Sequence, residues 1–215
     1  VADGQSPMFL HYDHDDVGLG PLGYLAENRH IRRAVLASLA DDLTGSGKID
    51  FRAPMRVNDL TRSATGVTAT LSDGSEITGS LAIAADGRGS RIREAAGINT
   101  TSWRYPQEAI VCTVEHEFPH ANVAHEHFLP AGPFAILPLG GTPEKPGCRS
   151  SIVWTERAEH ARQFVALDDD SFLTELARRF GDFMGEIKVI GPRFCHPLGL
   201  QFAETSITDR LVLIG

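Results

Sequence analysis

The stretch LAIAADGRGSRIREAAG, residues 81–97, decides how the sequence is interpreted. Its first five residues, 81–85, are all apolar and have the length and composition of a buried strand. The strand ends in Asp86-Gly87, where a glycine lets a ligand or another backbone approach closely. Ser90 is a residue type that caps helices, so we predict a short helix over residues 90–96. This order predicts a binding loop at the end of a buried strand.

Two interpretations of this loop are open at the level of sequence. In the first, Asp86 accepts hydrogen bonds from the hydroxyl groups of a ligand, and the amide groups at the start of the helix attract a phosphate. Arg93, one turn into the helix, would then face Asp86 or the phosphate. In the second, the segment is a capped structural turn held by an internal bond between Asp86 and Arg93.

The rest of the sequence predicts a mixed α+β and α/β fold with many strands and about four helices. Apolar residues spaced by four predict a helix over residues 28–43, which the glycines at 45–47 should end. Thr155 and Asp168 are expected to cap two further helices. A hairpin turn is predicted at Asp73-Gly74. Strands are predicted near residues 8–12, 49–51, 55–60, 67–71, 77–83, 109–114, 125–129, 134–137, 150–154, 187–190, 194–202 and 211–214.

The composition excludes several classes of function. Hydrophobic residues make up 42% of the 215 residues, enough for a core. There are 20 Lys and Arg against 28 Asp and Glu, a net charge of −8, which argues against general binding of nucleic acid. No apolar run approaches the roughly 18 residues of a spanning helix. Three widely spaced cysteines indicate reduced thiols and a cytoplasmic protein.

Two other patterns could indicate a ligand site: a glycine-rich segment and a cluster of histidines. The glycines of residues 18–23 match G-x-G-x-x-G, but an acidic segment precedes them instead of a strand, and Pro21 removes an amide donor, so we interpret them as a surface loop. Four histidines within twelve residues form a possible metal site, in which His125 and His127 would share a strand face. No further ligand pattern completes that site, so we predict no metal. His11 and His14 lie in an acidic run that we interpret as a solvated loop.

Residues 86–93, DGRGSRIR, resemble the D-G-x-x-S-x-x-R motif of the FAD-dependent aromatic hydroxylases of the p-hydroxybenzoate hydroxylase type. Within this family the ubiquinone-biosynthesis hydroxylases are the most similar group. Further stretches resemble theirs in the same order along the chain: residues 22–29, 135–139, 151–154, 196–198 and 210–215.

The resemblance implies a domain plan and a set of cofactor residues. Residues 1–99 would be part of an FAD-binding domain without its N-terminal G-x-G-x-x-G strand, 100–202 a sheet-rich substrate-binding domain, and 203–215 a return strand ending at a Gly-Asp motif. Seven residues would serve FAD and NAD(P)H: Asn28, Arg29, Asp86, Gly87, Ser90, Arg93 and Gly215. We expect this stretch by itself to bind FAD weakly or not at all and to be inactive, as a fragment of a longer protein.

The resemblance also implies an activity. The whole protein would hydroxylate an aromatic ring with O2 through a flavin C4a-hydroperoxide, on a polyprenylated phenol of ubiquinone biosynthesis, at a membrane surface or in a multienzyme complex. Phe134, Ile136 and Pro138 alternate on one strand and would form a wall of the substrate site, unless they are ordinary core residues. The alternatives are a non-catalytic hydroxylase-like scaffold, a flavin hydroxylase of small soluble aromatics, and a flavin-dependent reductase of isoprenoid chains.

Overall fold

The computed structural model describes residues 1–4, 8–18, 20–45 and 48–215. Leu19 of the glycine-rich loop and residues 46–47 of the expected helix stop lie outside the described residues. The described helices are α1 (Asn28–Gly45), α2 (Arg91–Ala95), α3 (Ala158–Val165) and α4 (Asp169–Phe180). The described strands are β1 (Ala2–Asp3), β2 (Val57–Arg62), β3 (Val67–Leu71), β4 (Glu76–Gly79), β5 (Ala82–Ala84), β6 (Thr100–His116), β7 (His125–Leu129), β8 (Gly132–Gly141), β9 (Pro146–Arg157), β10 (Ile187–Ala203), β11 (Ile207–Thr208) and β12 (Leu211–Leu213). The predicted mixed fold is confirmed.

The chain divides into two compact groups of residues. The sheet unit contains Val1–Arg32 and Arg104–Leu198, and the loop unit contains Arg33–Trp103 and Gly199–Gly215. This grouping differs from the predicted domain plan mainly because residues 1–32 fall with the sheet. The plan itself stays a prediction.

The sheet unit is built on six strands in the order β1-β7-β8-β9-β6-β10. Side chains alternate between the two faces of a sheet, so residues paired across strands share a face. Phe134 pairs with Trp154, which pairs with Ile110, and all three are almost completely buried. Helices α3 and α4 cover this face, and their buried residues complete the core: Ala161, Phe172, Leu176 and Phe180. Each large side chain buried in this way stabilises the fold by about 1.5–3 kcal/mol.

Ionic groups also hold the helices against the sheet. Glu108 on β6 is only 5% exposed, and the Arg162 guanidinium of α3 donates to both of its carboxylate oxygens, with Nε at 3.1 and 3.3 Å. The Cys195 thiol of β10 donates to the same carboxylate at 2.9 Å. These two donors hold the pKa of Glu108 below its ordinary value. Burial, together with the Glu108 carboxylate, raises the pKa of Cys195 to about 11, so the thiol stays protonated.

The loop unit contains two small sheets. Strands β2, β3 and β4 form an antiparallel meander, whose β3–β4 turn has Gly74 at φ +85° and the Ser75 amide bonded to Asp73, as the Asp-Gly pattern predicts. Strand β12 pairs with β5 in parallel and with β11 in antiparallel orientation. The single return strand predicted over residues 77–83 is therefore two strands, β4 and β5, which belong to different sheets.

Three other local predictions are wrong. Residues 8–12 form no strand, and only Phe9 makes an isolated bridge, to Ala2. Residues 49–51 form no strand either, because the meander begins at Val57. Thr155 does not cap α3: it pairs with Ala109 within β9, which continues to Arg157 at the N-cap. Asp168 caps α4 as predicted, accepting from the Ser171 amide at 2.9 Å.

Replacing Glu108 by glutamine should weaken the acid sensitivity of folding. Because the pKa of Glu108 is lowered in the folded state, its stabilising contribution is complete above the ordinary value of 4.5 and is lost as the pH falls through the lowered pKa. In urea unfolding between pH 6 and pH 3, Glu108→Gln should lose less free energy of unfolding than the wild type. The exposed Glu144→Gln should behave as the wild type. Equal pH slopes for wild type and Glu108→Gln would contradict this role.

Candidate functional site

The candidate site lies at the carboxyl ends of β5 and β12. The two strands run parallel, with Leu213 paired to Ala84, and the Ile214 amide donates to the Ala84 carbonyl at 3.0 Å. The chain leaves β5 at this edge toward Asp86, and leaves β12 at the same edge at Gly215. Ligands of open α/β sheets bind outside the carboxyl ends of the strands, so the position suits a cofactor.

Ser90 organises the loop that follows β5. Its side-chain oxygen donates to Asp86 Oδ1 at 2.6 Å and accepts from the Arg93 amide at 3.0 Å, which caps α2. The residue is 5% exposed, whereas Asp86 is exposed. Ser90 therefore fixes one carboxylate oxygen of Asp86 and leaves the residue open to a ligand. Gly87 has φ +82° with no neighbouring atom where a Cβ would stand, so the loop backbone is open on this side.

Arg93 does not form the expected internal bond with Asp86. Its Nη1 donates to the Arg88 carbonyl at 2.9 Å, and its Nη2 lies 3.5 Å from Glu94 Oε1. The residue is 8% exposed, and its Nε has no hydrogen-bond partner among the described residues. A buried donor without a partner is costly, so a ligand acceptor at this position would be stabilising.

The structure brings together the predicted cofactor residues of the loop unit only. Asp86, Gly87, Ser90 and Arg93 share one loop and helix, and Gly215 follows at the same sheet edge. Asn28 and Arg29 open α1 in the part of the chain that groups with the sheet unit, and both are exposed. Arg29 donates to the Glu27 carboxylate at 2.9 Å. The cofactor role of all seven residues stays a prediction.

The predicted substrate wall lies on the covered face of the sheet. Phe134 and Ile136 are 0% and 1% exposed and belong to the core beneath α3 and α4. Pro138 continues the same face at partial exposure. Substrate contact by Phe134 or Ile136 would require the helices to move away, so their position favours the alternative of ordinary core packing.

The opposite face of the same strands is the one that the helices leave uncovered. The register places two rows of side chains there: Val111, Ala135 and Val153, and then Thr113, Leu137 and Ser151. All but Ala135 are partly exposed. Sequence reasoning missed these residues because it chose the bulkiest alternating set. The sequence did contain a signal for which face is covered. The amphipathic helices α3 and α4 must bury their apolar faces, and the bulky side chains of Phe134 and Ile136 are the apolar partners available on the sheet.

Two of the four clustered histidines use both ring nitrogens in hydrogen bonds within the protein. His116 uses both ring nitrogens, with Nδ1 at 2.7 Å from the Phe118 carbonyl and Nε2 at 3.0 Å from Ser150 Oγ, and burial lowers its pKa. His120 is likewise bonded through both nitrogens, to the Leu139 carbonyl and the Asn122 amide. Among the described residues, the only grouping of three possible ligands is the exposed set Asp13, His14 and Asp15.

A family comparison decides what this architecture is. The FAD binding domain family matches residues 30–215, a range that includes the loop of residues 86–93 and the six-stranded sheet from β6 onward. The chain belongs to the FAD binding domain family. The predicted resemblance to flavin enzymes is thereby confirmed.

Two curated relatives of this chain have names that refer to ubiquinone. The chain is 47% identical over 215 residues to ubiquinone hydroxylase UbiL of Rhodospirillum rubrum. That alignment covers all of this chain and 48% of the relative. It is 36% identical over 187 residues to the mitochondrial ubiquinone biosynthesis monooxygenase COQ6 of Homo sapiens. That alignment covers 84% of this chain and 38% of the relative. The chain thus spans about half or less of the length of the curated relatives it matches.

Two solved structures share the fold. The flavin-dependent halogenase CmlS aligns with a TM-score of 0.61 and 16% identity, over 85% of this chain and 34% of that one. The p-nitrophenol 4-monooxygenase PnpA from Pseudomonas putida aligns with a TM-score of 0.59 and 13% identity, over 85% of this chain and 46% of that one. At these identities the likeness extends to the fold alone.

Replacing Ser90 by alanine should loosen the loop. The variant loses the cap on the Arg93 amide and the donor to Asp86, which should cost about 1 kcal/mol at the start of α2. Hydrogen exchange should then be faster at the Arg93 amide than in the wild type. Ser90→Thr keeps the hydroxyl and serves as the matched control. An alanine variant whose Arg93 amide is protected as in the wild type would show that the cap contributes nothing.

Proposed function

We propose that the protein containing this chain is a flavin-dependent monooxygenase that hydroxylates an aromatic ring of a ubiquinone precursor. The observation that carries the proposal is the 47% identity to a ubiquinone hydroxylase, which runs along the whole chain and therefore through both units. A polyprenylated phenol is the substrate class that we infer, with NAD(P)H and O2 as co-substrates.

The sheet edge of the loop unit fits a flavin nucleotide. Asp86 is exposed with one carboxylate oxygen held by Ser90, and Gly87 leaves the backbone open. The unpartnered Nε of Arg93 offers a buried donor to an acceptor group of a ligand. In this assignment Asp86, Gly87, Ser90, Arg93 and Gly215 hold the cofactor, together with Asn28 and Arg29. Bound FAD would supply the redox chemistry, taking electrons from NAD(P)H and delivering one oxygen atom of O2 to the ring.

The uncovered face of the six-stranded sheet is the surface that we assign to the aromatic substrate. Val111, Leu137 and Val153 provide apolar contact area there, and Thr113 and Ser151 add hydroxyl groups. A mostly apolar surface with a few hydroxyls suits a phenol with a hydrocarbon tail and excludes water from the ring. The residues of this face bind and orient; the sheet presents no acid–base triad in this assignment.

The location of the protein is a separate inference. Within the described part of the chain, no helix is both long and apolar enough to cross a lipid bilayer. Because all three cysteines are free thiols, we infer a cytoplasmic protein, which meets its substrate at a membrane surface or in a multienzyme complex.

The visible absorption spectrum of the full-length protein tests the cofactor assignment. The purified protein should show flavin bands that NAD(P)H bleaches and air restores. Asp86→Asn should weaken FAD affinity at least tenfold, because the amide replaces one acceptor oxygen by a donor. The exposed Asp182→Asn, in the sheet unit, is the matched control. A colourless, folded protein that ignores added FAD would overturn the proposal in favour of a non-catalytic scaffold.

Product analysis tests the substrate surface. Leu137→Gln should raise KM for a prenylated phenol severalfold while flavin content stays unchanged, because it removes apolar contact area without touching the loop of residues 86–93. The exposed Ile207→Gln is the control. Incorporation of label from ¹⁸O2 into the product identifies hydroxylation. An unchanged KM in Leu137→Gln would contradict the assignment of the substrate to this face.

A further inference from the structure

The loop unit contains an open cavity that the flavin assignment does not use. It lies among β2, α2 and the β11–β12 hairpin, and its volume of about 490 Å³ is within the range of small-molecule sites. Nine residues line it: Leu60, Thr61, Arg62, Ile92, Ala95, Ala96, Thr208, Asp209 and Leu211. All of them belong to the loop unit.

The walls of this cavity are fixed by hydrogen bonds. Arg210, at φ +54° in the β11–β12 turn, donates from Nε to the Ser63 carbonyl at 3.1 Å and from Nη1 to the Ser80 carbonyl at 3.0 Å. Its Nη2 donates to the Ala64 carbonyl at 2.5 Å. The turn of the hairpin is thereby tied to the β2–β3 turn and to the residue that follows β4. The two walls that the hairpin and the meander contribute are therefore held together by the protein itself.

Arg62 provides a cation in the wall. Its Nη1 donates to the Asp209 carbonyl at 3.0 Å and to Thr208 Oγ1 at 3.4 Å, which fixes the guanidinium at the cavity. A guanidinium has donors on two further nitrogens. The ion pairs found among the described residues do not include Arg62. The side chain is half-buried, and its free N–H groups would offer a fork of donors to a carboxylate.

The remaining walls define what such a carboxylate would be attached to. Leu60 and Ile92, both half-buried, provide an apolar wall, with the small side chains of Ala95 and Ala96 leaving space. The Asp209 carboxylate also lines the cavity, and its negative charge disfavours a multiply charged anion such as phosphate. These features favour a singly charged acid whose small apolar body rests on Leu60 and Ile92.

We propose that this cavity binds a small monocarboxylate, with its carboxylate on Arg62 and its hydrocarbon body against Leu60 and Ile92. Thr61 and Thr208 supply hydroxyl groups beside the carboxylate. The site is distinct from the loop of residues 86–93, and its occupancy requires neither FAD nor turnover.

Titration calorimetry with octanoate on the intact protein, without added cofactor, tests the site. The wild type should bind octanoate saturably at one site, and 1-octanol and inorganic phosphate should bind at least tenfold more weakly. Arg62→Ala should lose at least tenfold in affinity, while the exposed Arg56→Ala is the matched control and should bind as the wild type. Ala95→Phe fills the cavity and keeps the bonds of Arg62, and it should also lose at least tenfold.

Far-UV circular dichroism establishes which variants are folded. If Arg62→Ala is unfolded, the affinity of Ala95→Phe for octanoate tests the proposal instead. Three results would overturn the proposal: no saturable octanoate binding by the folded wild type, affinity retained in either folded variant, or octanol or phosphate binding as tightly as octanoate. Each is independent of flavin content, so this proposal and the proposed function fail separately.

Discussion

The covering of one face of the six-stranded sheet by α3 and α4 is the constraint on which the sheet unit depends. Trp154 lies at its centre, with ring centroids 6.4 Å from Phe134 and 6.0 Å from Phe172, and the Arg179 guanidinium stacks 4.1 Å above it. Because a sheet has only two faces, the burial of one assigns every alternate residue to the other. The covered face supplies stability, and the uncovered face is the one that we assign to the substrate.

The parallel pairing of β5 and β12 plays the corresponding part in the loop unit. It brings together two segments that are more than one hundred residues apart in the sequence and makes both end at the same edge. Hydrogen bonding at Ser90 then converts that edge into a defined loop, since one hydroxyl group holds the Asp86 carboxylate and the first turn of α2. The chemistry assigned to FAD would rest on this small set of backbone and hydroxyl contacts, because the flavin supplies the reactivity and the protein supplies position.

Local patterns predicted much of this. The Asp73-Gly74 turn, α1, the Asp168 cap and the Ser90-capped helix all depend on residues within a few positions of each other, and all were predicted correctly. The failures have a common cause. Thr155 has the chemistry of a cap, but pairing with β6 keeps it in a strand. Residues 77–83 have the pattern of one strand, but two different partner strands divide them.

The sequence by itself determined the composition of the loop at residues 86–93, the mixed fold class and the resemblance to flavin hydroxylases. Those features depend on residue type and short spacing. Only the tertiary structure decided that Phe134 and Ile136 face the helices, that Arg93 bonds to the Arg88 carbonyl instead of Asp86, and that Arg62 meets Thr208 and Asp209 at a cavity. These facts depend on strand register and on contacts between residues up to 147 positions apart. Alternation along a strand specifies two faces, but which one is buried is set by what packs against it.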